Sequence, residues 1–277
     1  DRLRSRGLGD VYKRQIFLDM DNTLLSPDGS ISAKNISVIK NSPIPVSLVS
    51  ARAPFEMQFA IHDLDLNTTQ VAFNGGLIYK PQLKGYQQIY SQAINPKTVK
   101  RIMTIIHQNF PEVSLNWYSD HTWFTDKHCQ ETDAETAITH EKPVIQKTSV
   151  NLTQTIYKFM VMSFQPPLFD RLQKYLKQLN LPDLNVMTSG DAYIEITPTS
   201  ATKANAIAQI QKEEHLKIDQ LAAFGDGEND IPMFKHVGLP IAVANASQEV
   251  KQYAKFVSTS NREDGVAIGI EQHILAK

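Results

Sequence analysis

Two carboxylates stand two residues apart in Asp19-Met20-Asp21, directly after the apolar run Ile16-Phe17-Leu18. On an extended backbone, side chains two apart project to the same side. Carboxylates that close repel, and each shifts the other's pKa unless a cation lies between them. A hard cation taking oxygen ligands, Mg2+ above all, resolves the conflict. Three further stretches supply complementary groups: a hydroxyl at a strand end in Val49-Ser50-Ala51-Arg52, a basic residue, Lys203, at the start of a helical stretch, and more carboxylates in the Gly-rich turn Gly225-Asp226-Gly227-Glu228-Asn229-Asp230. The set contains a nucleophile candidate, an acid/base candidate, metal ligands, a hydroxyl donor and a cation for phosphate oxygens. Phosphoryl transfer needs this inventory, because metal and fixed donors must meet the charge on the transferring group while the attacking and leaving oxygens stay in line.

Singly, each residue is ordinary. Asp-x-Asp pairs are common in solvated turns, Asn74-Gly75-Gly76 reads as a turn, Ser50 as a strand-end cap and Lys203 as an exposed helix residue. Their joint occurrence at the ends of apolar strands favours a site, since open α/β sheets bind ligands there.

The elements that must position these residues read as an alternation. Ile16–Leu18 and Val46–Val49 look like buried strands, with a helix between them from about Ser32 to Lys40. A helix from about Pro54 to Leu64 follows, with Pro at its start, and then a strand, Gln70–Phe73, closed by Asn74-Gly75-Gly76. Such an order implies a parallel sheet with crossover helices. From Gly85 to about Val186 the texture is α+β, with strand-like Leu115–Tyr118 and Ile156–Met162 and helices near Pro96–Asn109 and Pro167–Leu179. Tyr193–Ile196, a helix near Lys203–His215, and strands Leu221–Phe224 and Leu239–Ala242 are expected to resume the first pattern. The expected organisation is one core, 15–82 with 188–277, interrupted by a cap, 83–187, after a tail, 1–14, that is non-native or disordered.

With these residues in view, the chain resembles the haloacid-dehalogenase superfamily of phosphatases, in particular the Cof-like branch that carries its cap between the second and third motifs. Asp19-Met20-Asp21-Asn22-Thr23-Leu24-Leu25 matches the first motif, Asp-x-Asp-x-Thr, and Gly225–Met233 matches the fourth almost letter for letter. Ser50 falls where the second motif has Thr or Ser, and Lys203 where the third has Lys. The resemblance implies a doubly wound, Rossmann-like α/β core with an inserted cap. It also implies that Asp19 is the nucleophile forming an aspartyl-phosphate and Asp21 the general acid, then base. Mg2+ is expected on Asp19, the Asp21 carbonyl and Asp226, with Asp230 nearby. Ser50 and Lys203 are expected to hold phosphoryl oxygens, Asn229 to orient phosphate or Lys203, Asn74 and Gly75 to lie near substrate, and Thr23 to steady the first loop. Asn22, Ala51 and Ala204 stand where the family often has Gly, which bears on loop geometry rather than on the catalytic groups.

Composition narrows the partners. Among 277 residues, 28 Lys and Arg face 29 Asp and Glu, so the basic footprint of a nucleic-acid-binding protein is missing. A single cysteine, Cys129, gives no intramolecular disulfide framework and suits a reducing compartment. With no run of about 18 apolar residues to span a bilayer, the expectation is a cytoplasmic enzyme acting on a small phosphorylated metabolite: a sugar phosphate, pyridoxal phosphate, flavin mononucleotide or similar. A phosphomutase or phosphotransferase of the same superfamily is the enzymatic alternative. A phospho-accepting receiver-like module is the non-enzymatic one, although its order of motifs differs. Trp117, Tyr118, Trp123 and Phe124 form an aromatic cluster in the cap that could stack on a substrate ring, with packing inside the cap the favoured reading.

Overall fold

The computed structural model describes residues 13–147, 153–179 and 181–276. Most of the expected tail, residues 1–12, lies outside them. The chain divides into two compact units, one holding it up to Leu48 and again from Ile207 onwards, the other Val49–Ala206.

The first unit is built on a five-stranded parallel sheet. Its strand order is Phe256–Val257, Leu239–Ala242, Leu221–Gly225, Gln15–Leu18, Val46–Leu48. The three inner strands and Val46–Leu48 are buried along their whole length, as a sheet covered on both faces requires, and this is why they read as largely apolar runs. The helix Ala33–Lys40 makes the first crossover, with the Ser32 hydroxyl accepting from the Asn35 N–H at 3.1 Å to cap its start. From Gln15–Leu18 the chain steps to one side, to Val46–Leu48, and later returns on the other side at Leu221–Gly225. The strand order therefore reverses between Gln15–Leu18 and Leu221–Gly225, and the carboxyl ends of strands beside such a switch point are where α/β sheets bind ligands.

The second unit carries a six-stranded sheet in the order Leu184–Ser189, Tyr193–Pro198, Lys158–Met162, Ser114–Tyr118, Trp123–Thr125, Val144–Ile145, antiparallel except for its last pair. Alternate residues of one face, among them Trp117, Phe159, Val161, Ile194 and Ile196, pack on the helices Pro96–Asn109 and Pro166–Gln178. Two sequence expectations change here. Tyr193–Pro198 does not resume the parallel alternation; it pairs antiparallel with Leu184–Ser189 and Lys158–Met162. The turn between the hairpin strands contains Gly190, whose φ of +60° is open to glycine at little cost. Gln70–Ala72, expected in the parallel sheet, forms its ladder with Leu77–Pro81 in a three-stranded antiparallel sheet completed by Tyr86–Ser91. Its parallel pairing is limited to one bridge, Val49 with Val71.

Among the described residues, no helix is long and apolar enough to cross a membrane.

Candidate active site

In the first unit three carboxylates converge. One carboxylate oxygen from each of Asp19, Asp226 and Asp230 lies within 4.8 Å of the others, with Asp19 and Asp230 buried. Their placement follows from the sheet. Asp19 directly follows the strand Gln15–Leu18, and its N–H donates to the Phe224 carbonyl at 3.0 Å, carrying the ladder one residue further. Asp226 directly follows the neighbouring strand Leu221–Gly225. The two acids thus leave adjacent parallel strands at the switch point.

Asp230 reaches back under the turn. Its Oδ2 accepts the N–H groups of Asp226 at 2.9 Å and Gly227 at 3.0 Å, so backbone donors offset part of the cost of a fully buried carboxylate. This arrangement requires glycine at 225, because a Cβ there would stand 2.5 Å from the Asp230 carboxyl. Gly227 has a similar role for Asn229, whose Oδ1 would lie 2.6 Å from an added Cβ. Thr23, fully buried, donates its hydroxyl to Asp226 Oδ1 at 2.7 Å, which ties the first acidic stretch to the second.

Asp21 does not share the environment of Asp19. The strand closes at Leu18 and residues Met20–Leu24 form a tight turn, closed by the Leu25 N–H on the Met20 carbonyl at 2.9 Å. Asn22 takes φ of 59°, which Asn adopts more readily than most residues, and its carbonyl accepts from Asn245 Nδ2 at 2.7 Å. Asp21 emerges exposed. The pleat argument for side chains two residues apart fails at this point because the chain leaves the strand between them.

The other expected residues form a second constellation in the second unit. Ser50, fully buried, donates its N–H to Val71 at 3.0 Å and accepts the Asn74 N–H on its carbonyl at 2.8 Å, while its hydroxyl accepts from the Arg52 N–H at 3.1 Å. Phe73, Asn74 and Gly75 all have positive φ, and Gly75 packs so closely on Thr202 that a Cβ would fall 2.4 Å from the Thr202 carbonyl oxygen. Thr202 precedes Lys203, which is 1 % exposed instead of lying on a solvated helix face. Ser50, Asn74, Gly75 and the start of the helix Lys203–Glu213 are thereby linked through backbone contacts.

A family model described as haloacid dehalogenase-like hydrolase matches residues 16–270. The chain belongs to this family. Within the haloacid dehalogenase-like hydrolases it falls in the Cof-like branch, and it is a phosphatase. A Haemophilus influenzae protein provisionally named a phosphatase is 30% identical over 270 residues, spanning 95% of this chain and 98% of its own. The 5-amino-6-(5-phospho-D-ribitylamino)uracil phosphatase YwtE of Bacillus subtilis is 29% identical over 292 residues, covering 93% of this chain and 96% of its own. The solved structure of TM0651 from Thermotoga maritima shares the fold, with a TM-score of 0.84 at 24% identity over 94% of this chain and 97% of that one.

The donor set of this hydrolase fits a hard divalent cation: three oxygen ligands, two of them buried, whose mutual repulsion a cation would relieve. The aromatic cluster proves to be packing. Trp117, Tyr118 and Trp123 are at most 1 % exposed, and the Trp123 indole N–H donates to Asn116 Oδ1 at 2.9 Å. What the motifs did not reveal is a buried polar group in the second unit, Glu56, Lys158 and Tyr118. The available signal was a lone lysine opening the otherwise apolar strand Lys158–Met162.

Proposed function

We propose that this chain is a Mg2+-dependent phosphatase that hydrolyses a small phosphorylated metabolite through an aspartyl-phosphate on Asp19. The observation that carries the reading is the convergence of Asp19, Asp226 and Asp230 at the switch point of the parallel sheet. Asp19, the Asp21 carbonyl and Asp226, with Asp230 beside them, would hold the ion, which when bound supplies charge neutralisation for the phosphoryl oxygens.

Asp19 attacks phosphorus, its carboxylate oxygen forming the new P–O bond as the bond to the leaving oxygen breaks. Asp21 gives that oxygen its proton and then takes one from the water that hydrolyses the acyl phosphate. Exposure suits Asp21 to this exchange, whereas burial suits Asp19 to a fixed attack geometry. The Ser50 hydroxyl and the Lys203 ammonium bind phosphoryl oxygens. Asn229 orients the phosphate or Lys203, and Asn74 and Gly75 border the substrate. In this reading every residue of the chemistry lies outside 83–187, and that insert sets the choice of substrate.

The deciding experiment is release of inorganic phosphate from a panel of sugar phosphates, pyridoxal phosphate, flavin mononucleotide and 5-amino-6-(5-phospho-D-ribitylamino)uracil with Mg2+ present. Multiple turnovers support hydrolysis. A single stable phosphorylation would indicate a receiver-like module, and transfer to a second sugar hydroxyl without phosphate release would indicate a phosphotransferase.

A further inference from the structure

Lys158 opens the strand Lys158–Met162 and is 5 % exposed, a place where desolvation opposes the charged ammonium unless partners compensate. Its Nζ donates to the Ala51 carbonyl at 3.4 Å, lies 3.7 Å from Glu195 Oε1, and stands 4.5 Å over the centroid of the Tyr118 ring. Glu56, on the helix Pro54–Asp63, is buried and accepts the Ala53 N–H at 2.6 Å. It also interacts electrostatically with Lys158 and Arg52, and Glu135 joins the same group from the helix Gln130–Thr139.

Two of these contacts share a target. The turn after Ser50 is held at the Ala51 carbonyl by Lys158 and at the Ala53 amide by Glu56, while Ser50 itself is fixed through Val71 and Asn74. Buried ion pairs contribute little net stability compared with apolar replacements of similar shape, so stability alone is a poor account of a buried lysine opening an otherwise apolar strand. Its hydrogen bond to the Ala51 carbonyl instead constrains the orientation of one short turn.

We propose that Lys158, anchored by Glu195 and Glu56, is a positioning residue that fixes the Ser50–Ala53 turn and with it the Ser50 hydroxyl. The consequence for catalysis rests on the phosphatase reading, in which Ser50 binds a phosphoryl oxygen. The constraint on the turn does not.

The test uses Lys158→Met in the full chain, which keeps an unbranched side chain, one atom shorter, and removes its charge. Amide hydrogen exchange of Arg52 and Ala53 should accelerate at least about tenfold, with exchange in the parallel-sheet unit unchanged. Against an aryl phosphate, kcat/KM should fall on the order of 10- to 100-fold and competitive inhibition by inorganic phosphate should weaken in step, because misplacement of a binding group has costs of this size. Mg2+ affinity should stay within about twofold, since the carboxylate cluster lies in the other unit. Lys158→Arg should recover part of the loss. A folded Lys158→Met protein with unchanged exchange at Arg52 and Ala53 and unchanged kcat/KM overturns the proposal. If that variant does not fold, Glu195→Gln reads the same two quantities, and unchanged values there overturn it equally. Faster exchange in Lys158→Met, alongside a wild-type chain that cleaves no phosphate ester, would uphold the positioning role and reject the proposed function instead.

Discussion

The Thr23 hydroxyl donates to Asp226 Oδ1 at 2.7 Å, joining side chains 203 positions apart in sequence. Through this bond the turn after the first strand of the sheet and the turn after its neighbour are held as one piece. Asp226 is one of the three clustered carboxylates, so Thr23 sits where an outer hydrogen bond would orient a metal ligand. Thr23→Val should weaken Mg2+ binding about 10- to 100-fold while lowering stability by only about 1 kcal/mol. Calorimetric titration with Mg2+ alongside thermal unfolding reads both, and unchanged affinity would remove Thr23 from the metal site.

Gly225 gives a sharper test of the same cluster. A Cβ at this position would stand 2.5 Å from the Asp230 carboxyl, which accepts two backbone N–H groups. Gly225→Ala should therefore push Asp230 off both donors, at a cost of roughly 1–3 kcal/mol, and reduce Mg2+ affinity as strongly as Asp230→Asn does. Tight Mg2+ binding retained by Gly225→Ala would show that Asp230 is dispensable to the ion.

In the second unit, burial pushes the Glu135 carboxyl up to about 7; Lys158 and Arg52 work against this, and Glu56 and Glu195 reinforce it. An unfolded glutamate ionises near pH 4.3. Between roughly pH 4 and 7 the folded state therefore holds more protons on this group than the unfolded state, and its contribution to stability declines as pH rises through that window. Glu135→Gln should leave the melting temperature unchanged near pH 4 and raise stability by roughly 1–2 kcal/mol at pH 8. Thermal melts of both proteins across this range check the sign, and a gain confined to low pH would contradict it.

Trp123 separates packing from recognition. Because the indole is 1 % exposed and bonded to Asn116, Trp123→Ala opens a cavity and takes the donor from the buried Asn116 Oδ1. The expected result is a loss of about 3–5 kcal/mol in denaturant unfolding, with the ranking of phosphorylated substrates preserved in whatever protein remains folded. A changed ranking with stability intact would return Trp123 to the substrate surface.

The acidic cluster was legible in the sequence because Asp19 and Asp226 each follow an apolar run, and parallel strands buried on both faces leave that signature. The difference between Asp19 and Asp21 was not, since spacing two residues apart says nothing about where a strand stops. The hairpin Leu77–Pro81 with Tyr86–Ser91 escaped the reading for a related reason: its second strand is largely exposed and carries Gln87 and Gln88, so no buried alternation marks it. Lys158 and Glu195 belong to no motif, and nothing in their sequence neighbourhood marks them as a pair. Only the tertiary pairing of strands, which places Tyr118 opposite Lys158, brings Lys158 against the turn after Ser50 and close to Glu195.

In the proposed reaction Asp19 is the nucleophile and Asp21 the proton carrier. Asp19→Asn removes the attacking carboxylate, so no phosphoenzyme should form. Asp21→Asn keeps the nucleophile and loses the acid/base, a change that costs typically about 10²–10⁴-fold in rate. A substrate with a good leaving group needs little protonation, so it should still phosphorylate Asp19 in that variant and leave the acyl phosphate without a base to hydrolyse it. Intact-mass measurement after brief mixing and acid quench should find one added phosphoryl group on Asp21→Asn and none on Asp19→Asn; a phosphoryl group on the Asp19 variant, or one that maps to any other residue, would contradict the account.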